Sequence, residues 1–320
     1  MRPAITVQQQ NEDKLFAVPG VLAVGVGTLS GTRTPAIHVY INSATPAASA
    51  SALPAHLQGV PVEVIETDEF KALDGGPNHR LTYPRPVPMG VSTSNVNGIF
   101  AGTLGVRVHR IGQPSMVGYV TNNHVGAASG PNLCPAQLNP AKLPAFGVDQ
   151  CQAGRLDAAG FACVAPRIGD LTQAVPIVMG TQFDNVIDAV FVKSTRNLVN
   201  KLVLDIGNPS PVLQKPALGL AVRKSGSTTV LTTGTIQTVN ATVNVNYGGG
   251  CGVAKFVGQM LITPGGFSAA GDSGALILGG TDGSGRRKPV GLLFAGSSTF
   301  TVANRISDAL GALHAQIDTL

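Results

Sequence analysis

The strongest chemical signal in the sequence is the Gly-Asp-Ser-Gly motif at 271–274, which precedes the apolar run Ala275–Leu278. Glycines on either side of a serine allow a tight turn without a Cβ clash. Acyl transfer needs such a presented hydroxyl, and it needs backbone N–H groups that converge where the carbonyl oxygen becomes negative. Ser273 is therefore the candidate nucleophile, and the N–H groups of Gly271 and Ser273 are the candidate oxyanion donors. The competing interpretation is an ordinary glycine turn before a strand.

A serine nucleophile needs a general base, and His124 is the best placed of the six histidines. It lies in Asn122-Asn123-His124-Val125, where an apolar strand ends and polar residues begin, so its side chain can be presented at a cleft. The other histidines are expected to be structural or solvated: His38, His56, His79, His109 and His314.

The imidazole needs a carboxylate that fixes its tautomer. Asp188 lies within the apolar stretch Asn185–Val192, which predicts a strand. Because burying a carboxylate without a partner costs several kcal/mol, a histidine N–H is the expected partner of Asp188. Asp184 is the weaker candidate, and a solvent-exposed acid at a strand end is the competing interpretation.

The chain order histidine, aspartate, serine resembles that of the trypsin/chymotrypsin-like serine protease superfamily. Asn-Asn-His-Val replaces the family's commoner Thr-Ala-Ala-His-Cys and, with Gly-Thr-Leu-Gly at 102–105, is most similar to bacterial trypsin-like proteins and plant relatives of the narrow-leaf type. Lys-Ser-Gly-Ser-Thr-Thr at 224–229, Thr-Gly-Thr-Ile at 233–236 and the segment 240–250 resemble the second barrel of streptogrisin-like bacterial proteases.

This resemblance implies a mainly β chymotrypsin-like fold with two perpendicular six-stranded barrels and the active site between them. His124 and Asp188 would come from the first barrel and Ser273 from the second. Phe294, Ala295 and Gly296 correspond to the family's segment that pairs with the substrate backbone.

Two departures from the family pattern affect these expectations. Phe267 stands six residues before Ser273, where trypsin-like enzymes have an aspartate. Cleavage after Lys or Arg is therefore not supported, and an apolar or occluded pocket is expected. The chain also shows no arginine–isoleucine activation site like that of animal zymogens, so Asp272 needs another cation. The resemblance to streptogrisin-like enzymes implies an ion pair with Lys224, with Arg223 as the alternative.

The remaining sequence must position these groups. With 40 Gly, 22 Pro and only 12% charged residues, it is typical of short strands joined by tight turns. We predict a small α+β domain at 1–72, ordered helix–strand–strand–helix–strand, a Pro/Gly-rich linker at 73–95 and a double-barrel protease domain at 96–320. Residues 129–180 are expected to form a surface insertion. Apolar residues from Ile306 to Leu320 recur at helical spacing, which predicts a C-terminal helix that packs one apolar face onto the body.

Composition excludes several function classes. The net charge of +5 is not concentrated in a basic patch, so a nucleic-acid partner is not expected. No apolar run is long enough to span a membrane, and no cluster of ligand residues predicts a metal or an organic cofactor. A visible signal peptide is lacking, which predicts a cytoplasmic protein with buried free thiols. Secretion by another route stays open, and so does a Cys134–Cys151 bridge in an oxidising compartment.

The sequence thus predicts a serine endopeptidase that acts on a protein or peptide substrate, and a homo-oligomer is compatible with it. The alternatives are a catalytically weak scaffold or binding protein on the same fold, and an esterase that uses the same three residues. The N-terminal domain is either a removable inhibitory segment or a permanent docking or oligomerisation domain.

Overall fold

The computed structural model describes residues 2–45, 47–70, 79–129, 132–137, 147–163 and 167–320. Within these ranges the α-helices are α1 Arg2–Phe16, α2 Ala47–Ser51, α3 Asn123–Gly126 and α4 Ile306–Ala312. The strands are β1 Val21–Thr28, β2 Pro35–Asn42, β3 His56–Leu57, β4 Val60–Thr67, β5 Val87–Met89, β6 Ser92–Asn95, β7 Gly102–Thr103, β8 Val106–Arg110, β9 Gln113–Thr121, β10 Asp149–Cys151, β11 Gly169–Ala174, β12 Gly180–Asn185, β13 Val190–Lys193, β14 Val199–Val203, β15 Ala221–Gly226, β16 Val230–Asn246, β17 Val253–Thr263, β18 Leu276–Thr281, β19 Arg287–Gly296, β20 Thr301–Arg305 and β21 Ala315–Ile317.

The N-terminal module has the order helix–strand–strand–helix–strand that the sequence predicted, with the short β3 added. Helix α1 runs along fifteen residues from Arg2, and Ala4, Val7 and Leu15 form one buried face along it. The module is not separate from the rest of the chain. Strand β1 pairs antiparallel with β16, so β1–β4 extend an eleven-stranded sheet.

The second barrel is a closed ring of six strands. Hydrogen bonding runs β15–β16–β17–β20–β19–β18 and returns to β15. Buried apolar side chains such as Ile236, Ile262 and Leu293 fill its interior. Two further strands lie at its edges, with β12 parallel to β17 and β1 antiparallel to β16.

The first barrel is formed by an eight-stranded sheet in the order β21-β8-β9-β13-β11-β10-β6-β7. Its core also includes Leu276, Leu278 and Leu292 of the second barrel. The two barrels therefore pack directly against each other, and residues at their boundary are fixed by both.

Several strands fall where the sequence predicted irregular structure. β5 and β6 lie inside the predicted linker at 73–95, and β10 and β11 lie inside the predicted insertion at 129–180. Pro88 is tolerated within β5 because Val87 and Met89, on either side of it, are the residues in register with β14. Among the described residues, most of the Pro and Gly that suggested irregular structure in these segments lie in the turns and loops that join the strands.

The C-terminal helix is present but ends at Ala312, earlier than the apolar spacing indicated. The chain turns at His314, which adopts φ 46°, and then β21 pairs antiparallel with β8. Ile317 therefore belongs to a strand of the first barrel and not to the helix.

All four cysteines are paired, so the prediction of free thiols is wrong. The disulfides join Cys134 to Cys251 and Cys151 to Cys163, with Cα–Cα distances of 5.4 and 5.2 Å. The alternative bridge between Cys134 and Cys151 is also wrong. Cys134 and Cys251 are 117 residues apart, so only the fold brings them together.

Across the described ranges, no helix combines the length and the apolar character that crossing a membrane would need. In the same ranges no three His, Cys, Asp or Glu side chains are grouped so that they could hold a metal ion.

Candidate active site

The structure brings His124 and Asp188 together. Nδ1 of the His124 ring lies 2.7 Å from Oδ2 of Asp188, and the Asp188 side chain is fully buried. A carboxylate only accepts hydrogen bonds, so Nδ1 carries the proton and Nε2 is left as the basic nitrogen. Nε2 is buried and makes no hydrogen bond to any residue of the described ranges. The imidazole is thus held in the tautomer that a general base requires.

Asp188 is not within a strand, as the sequence predicted, but between two strands of different sheets. β12 ends at Asn185 in the second barrel's sheet, and β13 begins at Val190 in the first barrel. The N–H of Asp188 donates to the Asn304 amide oxygen at 3.0 Å, and its carbonyl accepts from the Asn122 amide at 2.7 Å. The break in the strand leaves these backbone groups to be satisfied by buried side chains.

Asn122 and Asn123 hold the short helix that carries His124. The amide of Asn123 donates to the carbonyls of Ala136 and Val175, at 3.0 and 2.6 Å, and its oxygen accepts from the N–H of Ala136. This explains the departure from the family's commoner motif, because small side chains could not make these contacts. Two polar residues immediately before a candidate base were the available signal, and sequence reasoning gave them no role.

Ser273 lies in a turn packed against the segment that carries His124. The N–H of Thr103 donates to the Ser273 carbonyl at 2.7 Å. A Cβ added to Gly102 would lie 2.4 Å from a Val125 methyl group and 3.0 Å from the Ser273 carbonyl. A Cβ added to Gly274 would meet Thr121 at 2.3 Å. Glycine at 102 and 274 therefore permits the close approach of these two segments.

The carbonyls next to the candidate oxyanion donors are anchored. The Ala270 carbonyl accepts from the Thr228 hydroxyl at 2.5 Å, and the Asp272 carbonyl accepts from the N–H of Ala275 at 2.9 Å. In a trans peptide the N–H and C=O groups point in opposite directions. The N–H groups of Gly271 and Ser273 consequently point away from these anchored carbonyls. Gly271, at φ 96°, has the left-handed backbone that this turn requires.

Lys224 and Asp272 lie next to each other and are both fully buried, with Nζ 3.3 Å from Oδ2. Oδ2 of Asp272 also accepts from the Thr229 hydroxyl at 2.6 Å and the N–H of Ala269 at 3.0 Å. Burial lowers the pKa of Lys224, and the Asp272 charge acts against this shift. The pair fixes the residue directly before Ser273.

Phe267 is fully buried in the core of the second barrel, with the Lys224 ammonium 5.8 Å from its ring centroid. Its ring therefore packs inside the barrel beside the Lys224–Asp272 pair.

Phe294, Ala295 and Gly296, at the end of β19, are also buried. The end of β4 and the residues after it pack beside them. The Thr67 hydroxyl lies 2.9 Å from that of Ser297, and the Asp68 carboxylate accepts from the N–H of Ser298 at 2.9 Å.

A cavity of about 490 Å³ opens beside His124. Its walls come from both barrels and from the N-terminal module, and they include Phe100, Leu133, Tyr247 and Glu69. Tyr247 is a site residue that the sequence reasoning missed, since it was read only as part of a family-like segment. Its hydroxyl donates to Oδ2 of Asp188 at 2.7 Å.

The weaker candidates lie elsewhere. Asp184 pairs with Lys255 at 2.7 Å and is 60% exposed. His109 is nearly buried, with its ring 3.6 Å from the Asp318 carboxylate. His38, on β2 of the N-terminal module, is buried against Thr238 of β16. None of these contacts involves the Ser273 turn.

No protein-family model matches the chain, and no curated protein matches it. Similar solved structures include Thermobifida fusca Protease A, which is 19% identical, with 72% of this chain and 97% of that chain covered and a TM-score of 0.44. A Nocardiopsis protease is 17% identical, with 78% and 100% covered and a TM-score of 0.44. Cellulomonas bogoriensis chymotrypsin is 19% identical, with 73% and 99% covered and a TM-score of 0.44.

By their names, these solved structures are two bacterial proteases and a chymotrypsin, and this chain is similar to them in the path of its backbone.

Proposed function

We propose that this protein is a serine endopeptidase in which Ser273, His124 and Asp188 hydrolyse peptide bonds through an acyl-enzyme intermediate. The observation that carries the proposal is the 2.7 Å contact between His124 Nδ1 and the buried Asp188 carboxylate. A buried aspartate that fixes one imidazole nitrogen, beside a Gly-Asp-Ser-Gly turn, is the arrangement that activates a hydroxyl nucleophile.

In this mechanism the Ser273 Oγ attacks the substrate carbonyl carbon while His124 Nε2 takes its proton. The carbonyl oxygen becomes negative and accepts from the N–H groups of Gly271 and Ser273. The imidazolium, stabilised by Asp188, then gives its proton to the leaving amine as the C–N bond breaks. Water, deprotonated by His124, attacks the acyl carbon and releases the acid and the serine. No metal or organic cofactor takes part in the proposed reaction.

A fluorophosphonate probe, which phosphonylates activated serines, tests the proposal directly. We expect a single adduct on Ser273, mapped by peptide mass spectrometry, and loss of labelling in Ser273→Ala and His124→Ala. His56→Ala is the matched histidine control, since His56 is exposed in the N-terminal module, and it should label normally. A folded wild-type chain that stays unlabelled through long incubation would contradict the proposal. Turnover of small esters without peptide cleavage would point to the esterase.

One observation favours a second candidate, a catalytically weak binding protein. Phe294, Ala295 and Gly296 are buried, and the Thr67–Phe70 segment packs where a substrate backbone would pair. A chain that binds peptides without cleaving them, and whose labelling stays absent after Asp68→Ala, would support this candidate over the peptidase.

We propose that the N-terminal module stays attached in the mature protein. Support comes from the pairing of β1 with β16 and from Phe70, which is fully buried in one cluster with Phe294 and Phe300. The mass of the purified chain should be unchanged after prolonged incubation, and loss of residues 1–72 would show processing.

Two disulfides also favour an oxidising compartment over the cytoplasm.

A further inference from the structure

Two side chains share one oxygen of the Asp188 carboxylate. Oδ2 accepts from His124 Nδ1 and from the Tyr247 hydroxyl, each at 2.7 Å. Oδ1 accepts from the backbone N–H groups of Asn123 and His124, at 2.5 and 3.3 Å. Four donors match the number of lone pairs on a carboxylate, so both oxygens of Asp188 are held by hydrogen bonds.

Tyr247 differs from the other three donors in its origin. Those three belong to α3 in the first barrel, whereas Tyr247 directly follows β16 of the second barrel. Among the described residues, it is the one donor to this carboxylate that reaches across the boundary between the barrels. It therefore ties the position of Asp188 to the barrel that carries Ser273.

The ring of Tyr247 is held independently of its hydroxyl. The ring packs in a T-shaped arrangement with the His124 imidazole, with centroids 5.8 Å apart, and it also packs against Phe256, with centroids 6.3 Å apart. The glycine turn at 248–250 follows, and Cys251 ties that turn to Cys134. Removing only the oxygen should consequently leave the ring in place.

The Asp188 carboxylate depends on hydrogen bonds, including the one from the Tyr247 hydroxyl, to balance its charge. In the described part of the chain, Asp188 forms an ion pair with neither lysine nor arginine, and its charge is balanced by hydrogen bonds and by His124 alone. Burial raises the pKa of Tyr247 well above its usual value, and the neighbouring Asp188 adds to the shift. The phenol thus stays protonated and remains a donor at every working pH.

We propose that Tyr247 is a positioning residue for the hydrolytic reaction. Its hydroxyl orients the Asp188 carboxylate and sets the strength of the hydrogen bond between Asp188 and His124. This inference rests on the proposed peptidase function, because it assigns Tyr247 a role in the same reaction. Without the phenol, Oδ2 would keep more negative charge for the imidazolium, and the carboxylate would lose the hydrogen bond that fixes its orientation from the second barrel.

Tyr247→Phe is the test, with Tyr83→Phe as the control, because Tyr83 packs against the first barrel's core. A lost hydrogen bond to a charged group corresponds to a rate effect of about tenfold to a hundredfold. We expect kcat to fall by that factor in Tyr247→Phe with KM unchanged. The acid limb of the pH–rate profile should move to higher pH, which a merely structural defect would not cause. Tyr83→Phe should change neither.

A second measurement does not depend on turnover. In a Ser273→Ala background, the His124 ring is titrated by NMR, with its signal assigned by its absence in His124→Ala. We expect His124 to titrate at higher pH when Tyr247 is phenylalanine. Identical titration curves would overturn the inference even if the wild-type chain labels normally. Failure of the wild-type chain to label, with a shifted His124 titration, would instead overturn the peptidase function while leaving the contact itself established.

Discussion

Lys224→Met tests how strongly the turn that carries Ser273 depends on a buried ion pair. Methionine keeps most of the length and apolar volume of lysine but removes its charge. The Asp272 carboxylate, fully buried and 3.3 Å from Nζ, would then have no cation beside it among the described residues. Breaking a buried pair by removing one partner typically costs about 3–5 kcal/mol, because the remaining charge is uncompensated.

The structure places the cost near the lower end of that range. Asp272 keeps three donors besides Lys224 at 3.0 Å or less, namely the N–H groups of Thr228 and Ala269 and the hydroxyl of Thr229. We therefore expect a loss of about 3 kcal/mol in the free energy of unfolding, measured by denaturant titration, and slower fluorophosphonate labelling of Ser273. The double variant Lys224→Met/Asp272→Asn should recover most of the stability. A single-variant loss below about 1 kcal/mol, the size of an exposed pair, would refute the reasoning.

Three further substitutions test separate parts of the structure. Asp188→Asn should lower peptide hydrolysis about 10⁴-fold with an unchanged unfolding transition, because an amide can leave the imidazole in the wrong tautomer. A loss under tenfold, measured with one peptide substrate, would show that the carboxylate is not needed. Cys251→Ser, which frees Cys134, should cost about 2–4 kcal/mol in denaturant unfolding, since the bridge closes a long loop. Equal midpoints with and without the bridge would contradict this. Burial acts to raise the pKa of Asp318, but hydrogen bonds, first from Arg196, outweigh it and hold that pKa below its usual value. Stability from this group is present above the unfolded-state pKa and is lost as the pH falls through the folded-state value, so Asp318→Asn should flatten the acid side of the stability–pH profile.

The parts of the site that could be predicted from the sequence are those where burying an unpaired polar group would cost free energy. A carboxylate in an apolar stretch must have a partner, and this argument predicts a histidine N–H as the partner of Asp188, which is the contact that His124 makes. The strands of the N-terminal module could also be predicted from the sequence. β1 is an apolar run and β2 alternates between apolar and polar residues, and turn residues such as Pro19-Gly20 bound them.

The parts that were missed depend on contacts between distant segments. Nothing near Asp188 shows that β12 joins the second barrel's sheet while β13 joins the first, because each assignment depends on a pairing partner far along the chain, β17 for β12 and β9 for β13. The pairing of Cys134 with Cys251 spans 117 residues. Tyr247 lies 59 positions from the carboxylate that it contacts, and its sequence neighbours are asparagine and glycine.

These distant contacts share one location, the boundary between the two barrels. Asp188 accepts hydrogen bonds from Asn122 and His124 of the first barrel and from Tyr247 of the second, and its N–H donates to Asn304 of the second. The orientation of the imidazole therefore depends on how the barrels pack against each other as well as on the stability of either one. Under the proposed function, a core substitution in one barrel that shifts this boundary by a fraction of an ångström slows peptide hydrolysis without unfolding the chain, because hydrogen bonds weaken steeply when their angle is lost.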